Sequence, residues 1–186
     1  MTISTNLELD RAYHAGRCEG ALSMLPFGPW SSEPHLLEFK HAGFDCILKR
    51  SSTTLVWCGY VAVPESHPAY KKHYDNINVE VHGGLTFADE CGVVVCHRSS
   101  DPDDKVWWLG FDCSHSFDFS PGMVQTVALA KQELVKNISF LTAEILNEFN
   151  KYNTLEDRSH YWTVEEVQQE TMKLADQLAQ VTYSRP

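Results

Sequence analysis

The spacing of apolar positions divides the chain into a short N-terminal helix, a strand-rich middle and a helical C-terminal part. Between Leu7 and Met24 the apolar residues recur at helical spacing, and the turn-rich segment Pro26–Trp30 ends that predicted helix. Short stretches of alternating polarity, separated by turn residues, follow as in an antiparallel meander. The predicted strands are 35–40, 44–49, 53–63, 78–82, 85–88, 92–96 and 105–112.

After Ser120 the composition changes, and alanine, leucine, glutamate and lysine become frequent through Asn150. This pattern predicts one long helix or a broken pair, followed by a polar loop over 151–160. Thr163 and Glu166 have capping-box spacing and predict the start of a final helix, whose single apolar stripe indicates packing against the sheet. The predicted class is therefore α+β, with a mostly antiparallel sheet of five to seven strands against C-terminal helices in a single domain, 1–186.

Composition narrows the range of partners. With 186 residues, 43% apolar and 22% charged, the chain has the profile of a globular domain. A formal charge of −10 argues against broad binding to nucleic acid, which leaves a small molecule or another protein as the partner. No apolar stretch reaches the length of a membrane span, and residues 1–10 do not have the pattern of a secretory signal. We expect a cytoplasmic protein without a membrane partner.

Cysteine usage supports the same expectation. The six cysteines are spread over a chain large enough not to require disulfides, and no pair has zinc-ribbon spacing. We therefore expect reduced thiols at all six positions, which are Cys18, Cys46, Cys58, Cys91, Cys96 and Cys113.

Polar side chains collect at the ends of two predicted strands. In the segment Val79–Thr86, strand alternation places Glu80 and His82 on the face opposite the two valines, before a glycine pair. In the segment Trp107–Asp118, Asp112 ends the strand, and His115 and Asp118 follow at three-residue steps. We expect His82, His115 and Asp112 to converge around a shared cavity.

Three interpretations of these polar residues remain open. Oxygen and nitrogen ligands suit a divalent metal, with His82, Asp112, His115 and Asp118 as the candidate ligands. Alternatively, a carboxylate orients His115 as a general base, or the group forms a pocket for a ligand that needs no metal. In the third interpretation, Asp112 caps a turn and His115 binds a buried carbonyl.

The loop His67–Tyr74 is a further candidate. It offers hydroxyl, ammonium and imidazole donors to an anion, and its tyrosines stand next to lysines, as on surfaces where nucleobases stack. The alternative is a solvated crossover between strands. The full set of residues predicted to bind a ligand is His67, Tyr70, Lys71, Glu80, His82, Trp108, Asp112 and His115.

The order of four motifs is specific. HPxY at 67–70, VEVHGGLT at 79–86, WWxGFDCxH at 107–115 and YxTxExVxxExxxLAxQL at 161–178 together resemble a family of small uncharacterised proteins encoded by bacteriophages and prophages. The resemblance covers about 45–178 and implies a variable helical insertion at about 121–160. It implies a setting, a phage-derived protein made in the cytoplasm of a bacterial host, and no particular reaction.

Two function classes follow. The favoured one is a phage-type accessory protein that binds a small ligand, such as a nucleotide, or a host defence protein, and inhibits host defence. The alternative is a metal-dependent or general-base hydrolase of a small phosphorylated or nucleotide-like substrate, with Lys71 or Lys72 neutralising substrate charge. The binder is favoured because the sequence contains no phosphate loop and no complete metal motif.

Overall fold

A five-stranded antiparallel sheet with one helix packed on its face forms the centre of the computed structural model. The structure describes residues 3–92, 94–96, 105–124, 126, 129, 130, 133 and 159–181, with side chains from residue 8 onward. The predicted α+β class is confirmed. The elements are α1 (Ile3–Leu22), β1 (Leu36–His41), β2 (Phe44–Arg50), β3 (Trp57–Pro64), β4 (Phe87–Glu90), β5 (Val106–Asp112) and α2 (Val164–Gln180), with 3₁₀ turns at Pro29–Ser31 and Tyr74–Asn76.

The sheet has the strand order β1-β2-β3-β5-β4. β1 to β3 form the predicted meander, and the turn between β1 and β2 uses Ala42 and Gly43, both with positive φ. β5 returns next to β3, which places Asp112 opposite Cys58 at the end of the sheet where the polar segments lie.

Alternation along β5 sends its side chains to two apolar clusters. Leu109 and Phe111 face α2, whereas Val106 and Trp108 pack on the other face of the sheet. On the first face, Val167, Leu174 and Leu178 are fully buried, as the predicted stripe of α2 requires. The predicted capping box is also confirmed, because the Thr163 hydroxyl accepts the Glu166 N–H while Glu166 accepts the Thr163 N–H at 2.8 Å.

A buried ion pair holds the start of α2 to the sheet. The Arg50 side chain is fully buried at the end of β2, and its Nη2 lies 2.6 Å from Oε2 of Glu33, which is only 8% exposed. The same oxygen accepts hydrogen bonds from the Tyr161 hydroxyl at 2.6 Å and from Trp57 Nε1 at 3.0 Å. The other carboxylate oxygen accepts the Val164 N–H at 2.9 Å.

This network gives partners to both guanidinium Nη atoms of Arg50, whereas the buried Nε has none among the described residues. Arg50 also donates to the Leu55 carbonyl and lies 4.6 Å above the Trp57 ring. Burial raises the pKa of Tyr161 above its ordinary value, so the hydroxyl stays protonated and donates to Glu33. Three regions distant in sequence, at 33, 50–57 and 161–164, are thereby joined, and nothing in the local apolar pattern indicated this.

Two predicted strands are wrong. The segment 78–82 pairs with no strand among the described residues; instead, the backbone of Glu80 binds the side-chain amide of Gln177 through two hydrogen bonds of 2.7 Å. The two valines of this segment still pack against the core. The predicted alternation of apolar and polar side chains is therefore present, although the segment forms no strand pairing among the described residues. In the other segment, 92–96, the described residues 92 and 94–96 belong to no strand, and the Gly92 N–H is bonded to the Val95 carbonyl at 3.0 Å.

The expectation of six reduced thiols is also wrong. Cys91 and Cys96 form a disulfide, while Cys18, Cys46, Cys58 and Cys113 are free thiols. The two partners are only five residues apart in sequence.

Part of the predicted C-terminal region lies outside the described residues. Residues 121–124 are helical, in agreement with a helix beginning after Ser120, whereas most of the proposed insertion at about 121–160 is not described. Among the described helices, none combines the length and the apolar character needed to cross a bilayer.

The Arg50–Glu33 pair yields a stability prediction. Glu33→Gln removes the charge that compensates buried Arg50, so we expect a loss of about 3–5 kcal/mol in the free energy of unfolding, measured with urea. Lys173→Ala, which breaks the exposed pair with Glu170, serves as the control and should change stability by less than about 0.5 kcal/mol. Equal effects of the two changes would contradict the assigned role of the buried pair.

The contact between α2 and the sheet predicts opposite effects at two glycines. A Cβ on Gly59 would collide with the Thr171 hydroxyl and the Phe111 ring, so Gly59→Ala should cost about 1–3 kcal/mol. A Cβ on Gly16 in α1 meets no neighbour, and Gly16→Ala should stabilise by about 0.5–1 kcal/mol through helix propensity. Thermal and urea unfolding of both variants test the pair, and stabilisation by Gly59→Ala would refute the close contact.

Candidate functional site

Two polar segments meet beside the start of α2. Gly83 and Gly84 both have positive φ and reverse the chain after His82, with the Gly84 N–H bonded to the Val81 carbonyl at 2.9 Å. This turn brings the backbone of Gly83 so close to the His115 ring that a Cβ there would collide with it. The contact between the two segments therefore requires a glycine at position 83, whereas at position 84 the positive φ alone favours glycine.

Asp118 lies at the centre of the site. Its Oδ2 accepts hydrogen bonds from His82 Nε2 and from the backbone N–H of His115, each at 2.8 Å. Its Oδ1 accepts the indole N–H of Trp162 at 3.0 Å. A tight turn closed by the Asp118 N–H and the His115 carbonyl, with Phe117 at positive φ, aims the carboxylate inward. Three segments of the chain thus converge on one carboxylate.

The two imidazoles frame this carboxylate. Their ring centroids are 5.2 Å apart at an interplanar angle of 86°, and the indole of Trp162 lies 4.1 Å from the His82 ring. Nδ1 of His115 is a buried atom 3.5 Å from Asp118 Oδ2, and among the described residues it has no hydrogen-bond partner. One ligand atom from each of His82, His115 and Asp118 fits within 4.8 Å of the others.

The electrostatics keep Asp118 ionised. Its partial burial works to raise the pKa, but the hydrogen bonds from His82 and the His115 backbone, the charge on His82 and the Trp162 indole outweigh it. The net result is a pKa below the usual value. The carboxylate is only 5% exposed, whereas the side chains of His82 and His115 are 20% and 31% exposed, so the group opens to solvent on the imidazole side.

Asp112 lies outside this group. Its two oxygens accept hydrogen bonds from the Thr86 hydroxyl at 2.8 Å and the Ser114 N–H at 3.0 Å, so it caps the turn that follows β5. The structure brings together His82 and His115 as expected, but with Asp118 at the centre in place of Asp112.

Other predicted ligand-binding residues lie elsewhere. Trp108 is fully buried on the face of the sheet opposite α2. His67 has both ring nitrogens engaged by backbone groups, the Ala69 N–H at 3.1 Å and the Leu178 carbonyl at 2.9 Å, so it joins its loop to the end of α2. The Lys71 ammonium lies 5.4 Å from the ring of Tyr70, apart from the imidazole pair.

Glu80 lies at a groove beside the imidazole pair. Its side chain is exposed and lines a groove of about 600 Å³ together with His82 and residues of α2. Those residues are Glu170, Lys173, Asp176 and Gln177, so the groove carries three carboxylates and one ammonium in addition to His82.

Sequence reasoning missed Trp162 as a site residue. Its position directly before the N-cap Thr163 of a helix predicted to pack on the sheet was the available signal, because such a residue is carried to the sheet end with the helix. Cys113 lies close to His115 in sequence, but its side chain is buried. Burial raises the pKa of its thiol, so Cys113 does not act as a nucleophile paired with His115.

Comparison with known proteins adds no assignment: no protein-family model, no curated protein and no solved structure matches this chain. The resemblance to phage and prophage proteins stays a prediction, and the function has to be argued from the site.

The contact between Gly83 and His115 can be tested with a matched pair of glycines. Gly83→Ala and Gly84→Ala both strain a backbone with positive φ, but only the methyl group at position 83 meets the His115 ring. We expect Gly83→Ala to cost at least about 1 kcal/mol more than Gly84→Ala in urea unfolding and to shift the imidazole NMR signals of His115. Similar stability losses and unchanged His115 signals in both variants would contradict the contact.

Proposed function

We propose that this protein binds a divalent metal ion through His82, His115 and Asp118 and uses it to hydrolyse a small substrate. The observation that carries the proposal is the convergence of two imidazoles and one ionised carboxylate within 4.8 Å. Two histidines and a carboxylate form a ligand set that suits zinc and neighbouring ions. This is the hydrolase alternative from the sequence, with Asp118 in place of Asp112 among the principal ligands.

Two of the three ligand-atom separations are close to those of a metal site, and all three lie within 4.8 Å. Tetrahedral zinc with bonds of about 2.0–2.1 Å places its ligand atoms about 3.3 Å apart. His115 Nδ1 already lies 3.5 Å from Asp118 Oδ2, and the His82–Asp118 hydrogen bond of 2.8 Å would open slightly as the metal displaces its proton. The unpartnered Nδ1 of His115 would gain the partner that it lacks among the described residues.

Neighbouring groups orient the ligands. Trp162 holds Oδ1 of Asp118, which leaves Oδ2 facing the two imidazoles. Because three protein ligands leave a fourth position open, a water molecule would complete the coordination. Metal binding lowers the pKa of such a water to about 7. The ion held by His82, His115 and Asp118 would thus supply an activated water as the nucleophile for hydrolysis.

The groove beside His82 favours a particular kind of substrate. Its carboxylates, those of Glu80, Glu170 and Asp176, outnumber the single ammonium of Lys173, so an uncharged or cationic substrate is favoured over a polyanion. Lys71 and Lys72, expected to neutralise a phosphorylated substrate, do not line this groove. Inhibition of host defence rests on the motif resemblance alone and stays a prediction.

Metal content provides the test. The full chain, loaded with zinc and then desalted, should retain about one ion per chain by elemental analysis. His115→Ala and Asp118→Asn should lose most of it, because each removes one of three ligands. His73→Gln, which changes an exposed histidine outside the group, is the matched control and should retain the ion.

Two results would contradict the proposal at different points. Retention of zinc by a His82→Ala/His115→Ala double variant with a native circular dichroism spectrum would refute the metal site. If the ion binds as expected but the zinc-loaded chain leaves p-nitrophenyl acetate and a p-nitroanilide of a cationic amino acid intact, metal binding stands and the hydrolase role is wrong.

A further inference from the structure

A second cavity lies on the other side of β2. Residues of α1, of β1 and β2, and residues 92 and 94–96 beside the Cys91–Cys96 disulfide line a pocket of about 190 Å³. The pocket shares no lining residue with the groove at His82. Its lining includes three basic side chains, from Arg11, Arg17 and Lys49, against one carboxylate, from Asp10.

Two of these three basic side chains are held in place by hydrogen bonds, and the third, Arg17, is exposed. Arg11 makes a two-pronged contact with Glu38 on β1, and Lys49 Nζ donates to the Val94 carbonyl at 2.6 Å. Arg17 is exposed at the edge of the pocket, and within the described ranges, 8–92, 94–96, 105–124 and 159–181, no carboxylate pairs with it. A protein with a formal charge of −10 thus concentrates cations around one small cavity.

The neutral state of His14 agrees with this concentration of charge. Burial, followed by the charge of Lys49 and further cationic neighbours, lowers the pKa of His14 to about 4, so the imidazole is uncharged at neutral pH. His14 lines the pocket, and its Nε2 lies 3.7 Å from Sγ of Cys18, which contacts the Arg50 carbonyl at the end of β2. The imidazole therefore reports on any anion that enters.

We infer that this pocket binds a small phosphate-type anion of the size of pyrophosphate. The volume is below the range of about 300–1,000 Å³ that is typical for drug-sized ligands, which favours a small occupant. Arg17 supplies a planar guanidinium that can bind two oxygens at once, and Lys49 adds a point charge from the sheet. Nothing in this inference depends on the metal site at His82.

Calorimetric titration of the full chain with inorganic pyrophosphate at low ionic strength tests the inference. We expect saturable binding that Arg17→Glu weakens at least tenfold, because the change removes one positive charge from the pocket edge and adds a negative one. Arg17 is exposed, so this variant should fold. Lys72→Gln, which changes an exposed cation outside the pocket, should leave the affinity within twofold of the wild type.

NMR identifies the place of binding. Pyrophosphate should shift the imidazole signals of His14, assigned through His14→Gln, and should leave those of His73 unchanged. The inference is overturned by an absence of binding at millimolar pyrophosphate, by equal affinity in Arg17→Glu, or by equal binding of the uncharged probe adenosine. Weakening by Lys72→Gln with no effect of Arg17→Glu would place the anion on the loop His67–Tyr74 and equally refute the pocket.

Discussion

The buried carboxylate of Glu33 is the constraint on which the rest of the structure depends. It is paired with Arg50 at the end of β2 and accepts hydrogen bonds from Tyr161 and from the N–H of Val164. Trp162 lies between those two residues in sequence, so its position at Asp118 follows from the same contacts. The ion pair that holds α2 to the sheet therefore also positions the imidazole pair.

The carboxylate of Asp118 joins three parts of the chain and is also a ligand of the proposed metal site. A nearly buried carboxylate must be paired, and here a ring N–H, a backbone N–H and an indole N–H provide the partners. These contacts join the segment after β5 to the turn at Gly83 and to the start of α2. The same arrangement keeps the carboxylate ionised between two imidazoles, which is the state that a metal ligand requires.

The distribution of charge separates the two proposed sites. The net charge of −10 argues against a surface that binds nucleic acid broadly, but it does not give the local balance of charge at either cavity. Carboxylates predominate in the groove at His82, and basic side chains predominate in the pocket under α1. A metal ion and a small anion are thus suited to different parts of the same acidic molecule.

The sequence by itself determined the features that depend on near neighbours: the alternation along β5, the capping box at Thr163, the meander of β1 to β3 and the apolar stripe of α2. It also indicated that His82 and His115 lie close together in one site. Only the tertiary structure decided that Asp118 and not Asp112 joins them, that 78–82 pairs with Gln177 in place of a strand, and that Glu33 reaches Arg50. Periodicity reports which face of an element is buried, whereas the partner of a polar group is chosen by long-range packing that no local pattern contains.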